Sequence, residues 1–100
     1  MAKESLTPQE IADRLAALPE WSVEDGKIAR SYRLADHFAA TAMVVHVAGI
    51  QQELNHHSDL TLGYNTVDIA VNSHDVGGIT ERDFDLAARV EEIAPTHGAT

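Results

Sequence analysis

Three of the six histidines in this chain occupy positions where imidazole chemistry is available. His56 and His57 stand side by side in "LNHHSDL", and His74 follows in "NSHDVGG", eighteen residues after His56. An unperturbed imidazole titrates near pH 6.5, so it gives or takes a proton at neutral pH without a cofactor. Three of them around one cleft would supply an acid, a base and an orienting group. A three-histidine zinc site is the competing chemistry, but adjacent histidines seldom share one metal and no HExxH-type ligand motif accompanies them. The expectation is therefore no metal. Blander roles stay open as well: either member of the pair as a polar helix terminus, and His74 as a loop support through a backbone hydrogen bond. His46 and His97 read as structural or incidental.

The elements that must position these residues can be read from spacing and punctuation. "TPQE" at 7–10 is a helix start, with Thr7 as cap, Pro8 at the first helical position and Glu10 closing a capping box. This helix should run to about Ala17, with Ile11, Leu15 and Leu18 on one side. "WSVEDGKIARSYRL" predicts a hairpin turning at Asp25-Gly26 and returning over Ile28 to Leu34. Its basic cluster "KIARSYR" reads as a solvated edge strand. Asp36 can cap a long helix reaching about Asn55, with Phe38, Ala42, Val45 and Gly49 on one face and Met43, Val47, Ile50 and Leu54 on another. A helix that wide in apolar arc covers a sheet on one side and meets a further helix or a partner subunit on the other.

His56 and His57 fall where that helix ends. Adjacent helical residues point about 100° apart, so both rings share a pocket only if the chain is unwinding there, which Ser58 and Asp59 favour. Strands are expected around Thr61 to Tyr64 and from Thr66 to Asn72, where Val67, Ile69 and Val71 alternate with Asp68, Ala70 and Asn72. His74 ends the second of these, at a loop of the kind where ligands are usually met. A last helix starts at Thr80 with Asp83 at the capping-box position and buries Phe84, Ala87, Val90 and Ile93. "PTHGAT" should fray. The order is αββαββα: an α+β fold with a four-stranded, mostly antiparallel sheet covered on one face by three helices.

Composition narrows the function classes. One hundred residues make one domain, 1–100, with no second core. Without cysteine there are no thiol nucleophiles, disulfides or Cys-bound zinc, so catalysis falls to histidines, carboxylates and hydroxyls. Sixteen acidic against seven basic residues give a net charge of −9, which opposes a phosphate backbone and argues against direct nucleic-acid binding. No apolar run approaches a bilayer span. The polar start "MAKESLTPQE" has no signal-peptide core, so the cytoplasm is the expected compartment.

"HHS" at 56–58, Tyr64, "SHD" at 73–75 and "TERD" at 80–83 together reproduce the spacing of the pterin-4a-carbinolamine dehydratases, and the αββαββα order with Trp21 after the first helix resembles that family over nearly the whole chain. The resemblance implies a cofactor-free lyase that removes water from a 4a-hydroxytetrahydropterin, giving the quinonoid dihydropterin in tetrahydrobiopterin recycling. It implies His56 and His57 as the proton-transfer pair and His74 as the group that binds and polarises the pterin. Gln52, Ser73, Asp75 and Asp83 would line the substrate, Asp83 doubling as a helix cap. One departure stands out: four residues before His56 the family usually carries an ionisable residue, and here it is Gln52, which lacks the charge that would support a histidine. The same fold without full activity serves elsewhere as an interaction or assembly module, which is the second expectation. On either one the family's habit implies a homodimer or homotetramer.

Overall fold

The computed structural model describes residues 5–100, which form α1 (Pro8–Leu15), β1 (Ser22–Glu24), β2 (Lys27–Arg33), α2 (His37–Leu54), β3 (Asp59–Leu62), β4 (Thr66–Val71) and α3 (Glu81–Ile93), followed by a 3₁₀ turn at Ala94–His97. The four strands lie in the order β1-β2-β4-β3, every pair antiparallel. The α+β order expected from the sequence is the one observed.

Alternation places the core. Ile28 and Tyr32 of β2 and Val67, Ile69 and Val71 of β4 are buried, and register sets Ile28 opposite Val71 and Tyr32 opposite Val67. Against this face lie Met43, Val47 and Ile50 of α2 and Phe84, Leu86, Ala87 and Val90 of α3. Helix α1 packs only at the margin of that core, through half-buried Ile11 and Leu15. The opposite face of the sheet carries small and polar groups, with Ser31 Oγ donating to Asp68 at 2.5 Å. A concavity of about 280 Å³ lies on that open face, and no histidine lines it.

Local chemistry explains the boundaries. Thr7 with Glu10, and Thr80 with Asp83, form reciprocal capping boxes at α1 and α3, while Asp36 Oδ1 accepts the Ala39 amide at 2.8 Å to start α2. Asp25 and Gly26 both adopt positive φ (51° and 77°), so the β1–β2 hairpin closes in two residues. Among the described residues no helix is long and apolar enough to cross a membrane.

Three expectations need correction. "KIARSYR" is not an edge: β2 is paired on both sides, and Arg30 is neutralised from within, bonded to Glu91 and lying 4.0 Å over the Tyr32 ring. The C-terminal residues are tied down rather than frayed. Thr100 donates its amide to the Arg33 carbonyl at 3.0 Å, its own carbonyl accepts from Arg30 at 2.5 Å, and His97 bonds His46 at 2.8 Å. Strand β3 begins two residues earlier than its composition suggests, because pairing with β4 sets Asp59 opposite Ala70 and leaves Gly63 to Asn65 as the turn.

Candidate active site

Helix α2 stops at Leu54 because Asn55 takes the left-handed conformation (φ 53°, ψ 43°), its amide reaching the Gln52 carbonyl at 3.3 Å and the His56 amide reaching that of Gln51 at 3.1 Å. This paired closure satisfies the last carbonyls and turns the chain sharply. Unwinding thus begins one residue before the histidine pair. Gln51, buried on the stripe that also carries Val47, then clamps the new direction, its side-chain carbonyl accepting from the Ser58 amide at 3.0 Å and from the Ser58 hydroxyl.

The turn sends His56 inward, where its side chain is 10% exposed and Nε2 meets Asp83 Oδ1 at 2.5 Å. Asp83 has no exposed surface. Its other oxygen accepts the Thr80 amide at 2.8 Å and the Ser73 hydroxyl at 3.1 Å, and Ser73 and Thr80 share a further hydroxyl bond of 2.7 Å. A buried carboxylate that accepts from three donors beside a helix N-terminus has its charge compensated without a metal. Among the described residues no group of three or more histidine or carboxylate side chains is arranged to hold a metal ion.

His57 and His74 are exposed. They follow His56 and Ser73 directly in the chain, so they flank the buried network on the two loops that meet there. The loop after β4 is fixed by the Ser73 amide on the Gly78 carbonyl (2.8 Å) and the Gly77 amide on the Ser73 carbonyl (3.0 Å), with Gly77 at φ 69°. From outside, the Leu6 amide bonds the Ile79 carbonyl at 2.7 Å, and Arg14 pairs with Glu81 to bind α1 to the start of α3. Asp75, exposed on this loop, accepts from Arg82 at 2.6 Å. That hydrogen bond, aided by the Arg82 charge, holds its carboxyl below the usual range although burial acts in the opposite direction.

Seven residues were expected at the site, and the fold distributes them in two groups. His56, Ser73 and Asp83 form one buried network, in which Ser73 and Asp83 spend their oxygens on each other, on Thr80 and on His56. His57, His74, Asp75 and Gln52 are exposed, and the Gln52 side chain makes no hydrogen bond to a described residue. Two members were missed. Gln51 carries a sequence signal, a polar residue four positions after Val47 on the apolar stripe. Thr80 was read as a cap only, although its hydroxyl also meets Ser73.

This small α+β protein thus seats an imidazole–carboxylate pair between the end of one helix and the start of another, with an exposed imidazole next in the chain on each of the two loops. The family model described as pterin 4 alpha carbinolamine dehydratase matches residues 4–93. A relative from Streptomyces coelicolor, provisionally named a pterin-4-alpha-carbinolamine dehydratase, is 61% identical over 99% of both chains. One from Chloroflexus aurantiacus with the same provisional name is 48% identical over 88% of this chain and 95% of its own. The crystal structure of a transcriptional coactivator/pterin dehydratase from Brucella melitensis superposes with a TM-score of 0.86 at 32% identity, covering 91% of this chain and 99% of that one. A pterin dehydratase-like RuBisCO assembly factor of the alpha-carboxysome shares the fold at a TM-score of 0.61 and 17% identity, over 74% of this chain and 86% of its own. The chain belongs to the pterin-4-alpha-carbinolamine dehydratase family.

Proposed function

We propose that the protein is a cytoplasmic dehydratase that removes water from 4a-hydroxytetrahydropterins in tetrahydrobiopterin recycling, using its own histidines and no cofactor. The observation that carries this reading is the meeting of His56 with Asp83 across twenty-seven residues of sequence, in a chain of this family. The reaction breaks the C4a–O bond. The hydroxyl takes a proton and leaves as water, a ring nitrogen gives up a proton, and no electrons are exchanged with another molecule. Each half needs a group that titrates near neutrality, which imidazole supplies.

In this reading His56 and His57 serve the two proton transfers and His74 polarises the pterin. Asp75, kept ionised by Arg82, offers two carboxylate oxygens to the amino-pyrimidinone edge of the pterin, whose neighbouring N–H groups suit bidentate acceptance. Gln52 adds a neutral hydrogen-bonding group at the rim. Ser73 and Asp83 reach the substrate through His56. The exposed stripe of Phe38 (82% exposed) and Val45 (66%) on α2 supports a homodimer or homotetramer, and the net charge of −9 supports a protein that does not hold nucleic acid directly.

The test is the decay of chemically prepared 4a-hydroxytetrahydropterin, followed by ultraviolet absorbance. The protein should accelerate it, and His57→Ala and His74→Ala should each slow the catalysed rate at least tenfold while remaining folded. Gln52 favours a second reading, an interaction module with a weakened site. Inert wild type beside an active Gln52→Glu variant would establish that one, and inertness of both would remove the dehydratase.

A further inference from the structure

The two nitrogens of His56 have different surroundings. Nε2 lies 2.5 Å from Asp83 Oδ1. Nδ1 has no hydrogen-bond partner among the described residues, yet it is not one of the buried polar atoms left without one, which are Asn72 Oδ1 and Arg82 Nε. The exposed tenth of this side chain therefore includes Nδ1. A carboxylate has only lone pairs to offer, so the ring nitrogen facing it carries the hydrogen. Asp83 is itself immobilised by the Thr80 amide and the Ser73 hydroxyl, and cannot turn to accept from elsewhere.

We infer that Asp83 is a positioning residue that holds neutral His56 in the Nε2–H tautomer, so that Nδ1 is the working atom and takes the ring-nitrogen proton of the substrate. The inference rests on the dehydratase reading for the identity of the proton donor, and on geometry alone for the tautomer. In the reaction, Nδ1 accepts that proton and the imidazolium keeps its Nε2–H bond to Asp83, whose negative charge compensates the new positive one. The exposed His57 gives its proton to the departing hydroxyl, so one proton enters the protein as one leaves. Solvent then returns both imidazoles to their starting states. The same logic in other acid–base sites makes a buried carboxylate behind a histidine fix its tautomer rather than accept its proton. Ser73 and Thr80 thereby acquire a role: they aim the carboxylate, and the substrate never touches them.

The first experiment needs no substrate. Nitrogen-15 spectra of wild type labelled at histidine, recorded at pH 8 and assigned with His56→Gln, should show His56 protonated at Nε2 and bare at Nδ1. The reverse tautomer, or a rapidly exchanging mixture, overturns the inference whether or not the protein is active. In Asp83→Asn the side-chain amide can donate to Nε2, so the proton should move to Nδ1. If that variant folds, kcat should fall roughly 10²–10⁴-fold with KM changed less than threefold, the range of a lost acid–base function. An unchanged kcat with the tautomer reversed would show that Nδ1 is not the working atom. Ser73→Ala, which leaves Asp83 its bonds to Thr80 and His56, should lower kcat less than Asp83→Asn does. A dehydratase assay in which wild type is inert removes the substrate assignment and leaves the tautomer result standing.

Discussion

Replacing Glu91 by alanine should cost this domain a large part of its stability while leaving the site chemistry intact. One carboxylate oxygen of Glu91 accepts from Trp21 Nε1 at 2.8 Å, from the Tyr32 hydroxyl at 2.6 Å and from Arg30. Trp21 is 4% exposed and Tyr32 1%, so both donors lie where water is scarce, and burial together with the carboxylate pushes the Tyr32 phenol well above its usual value. Leaving a buried neutral donor unsatisfied costs about 1–3 kcal/mol, and breaking a largely buried ion pair costs several more. Two effects reduce the sum: Glu91 itself is 31% exposed, which lets water refill part of the space, and Arg30 keeps the Thr100 carbonyl. The expected loss is about 3–5 kcal/mol, out of a total of about 5–15 kcal/mol for such a domain. Tyr32→Phe removes one of three donors and should cost about 1.5–3 kcal/mol, and the double variant should fall short of additivity by about 1 kcal/mol or more. Urea unfolding followed by fluorescence of the single tryptophan measures all three. Because Asp83 lies just over two helical turns before Glu91, the folded fraction of Glu91→Ala should keep the proposed dehydratase activity at the wild-type rate. A loss below about 1 kcal/mol, or strict additivity, would refute the idea that one carboxylate ties β2, α3 and Trp21 together. Although burial works against it, bonding to Tyr32, Arg30 and Trp21 holds the Glu91 carboxyl below its usual range. That stabilisation is complete above the unfolded-state value and is lost as pH falls through the folded one.

Two further outcomes follow from the surface of α2 and the C-terminal turn. For the proposed homo-oligomer, Phe38→Glu combined with Val45→Glu should reduce the mass measured by light scattering to that of one chain; an oligomer unchanged by the pair would place its interface elsewhere, and a wild type with the mass of one chain would remove the oligomer. Burial, then the nearby His46 imidazole, holds the His97 imidazole below its usual pKa of 6.5. The folded state therefore prefers His97 neutral, and this stability is present above pH 6.5 and lost as pH falls through the folded value. His97→Gln should accordingly flatten the thermal stability profile between about pH 7 and 5, and a profile as steep as wild type would exclude the pair as its source.

Much of the fold was legible because it is enforced by local rules. Thr7 with Glu10, Asp36, and Thr80 with Asp83 each cap the helix the sequence assigns them. Asp25-Gly26 turns the hairpin, and Val67, Ile69 and Val71 are buried on alternate positions. Helix α2 has the two apolar faces its composition implies, but only the tertiary structure shows that Met43, Val47 and Ile50 turn to the core while Phe38 and Val45 lie exposed. Strand β3 was displaced because a short run such as "DLTLGY" has no period of its own. Its limits come from hydrogen bonds to β4. The basic run in β2 misled for the related reason that charge pattern cannot reveal a neutralising partner some sixty residues away on α3.

At the site the same division holds. The sequence by itself determined which groups are present: three imidazoles with family spacing, a capping aspartate at the start of the last helix, and no cysteine. Only the tertiary structure decided what each can do. Asn55 in the left-handed conformation turns His56 inward and not His57, and the meeting of the α2 terminus with the α3 terminus gives His56 a buried carboxylate while His57 and His74 remain in solvent. Residue type is written in the chain, but burial, partner and the free nitrogen of an imidazole are properties of where distant segments meet. On those properties rest the roles of acid, base and positioning residue proposed for them.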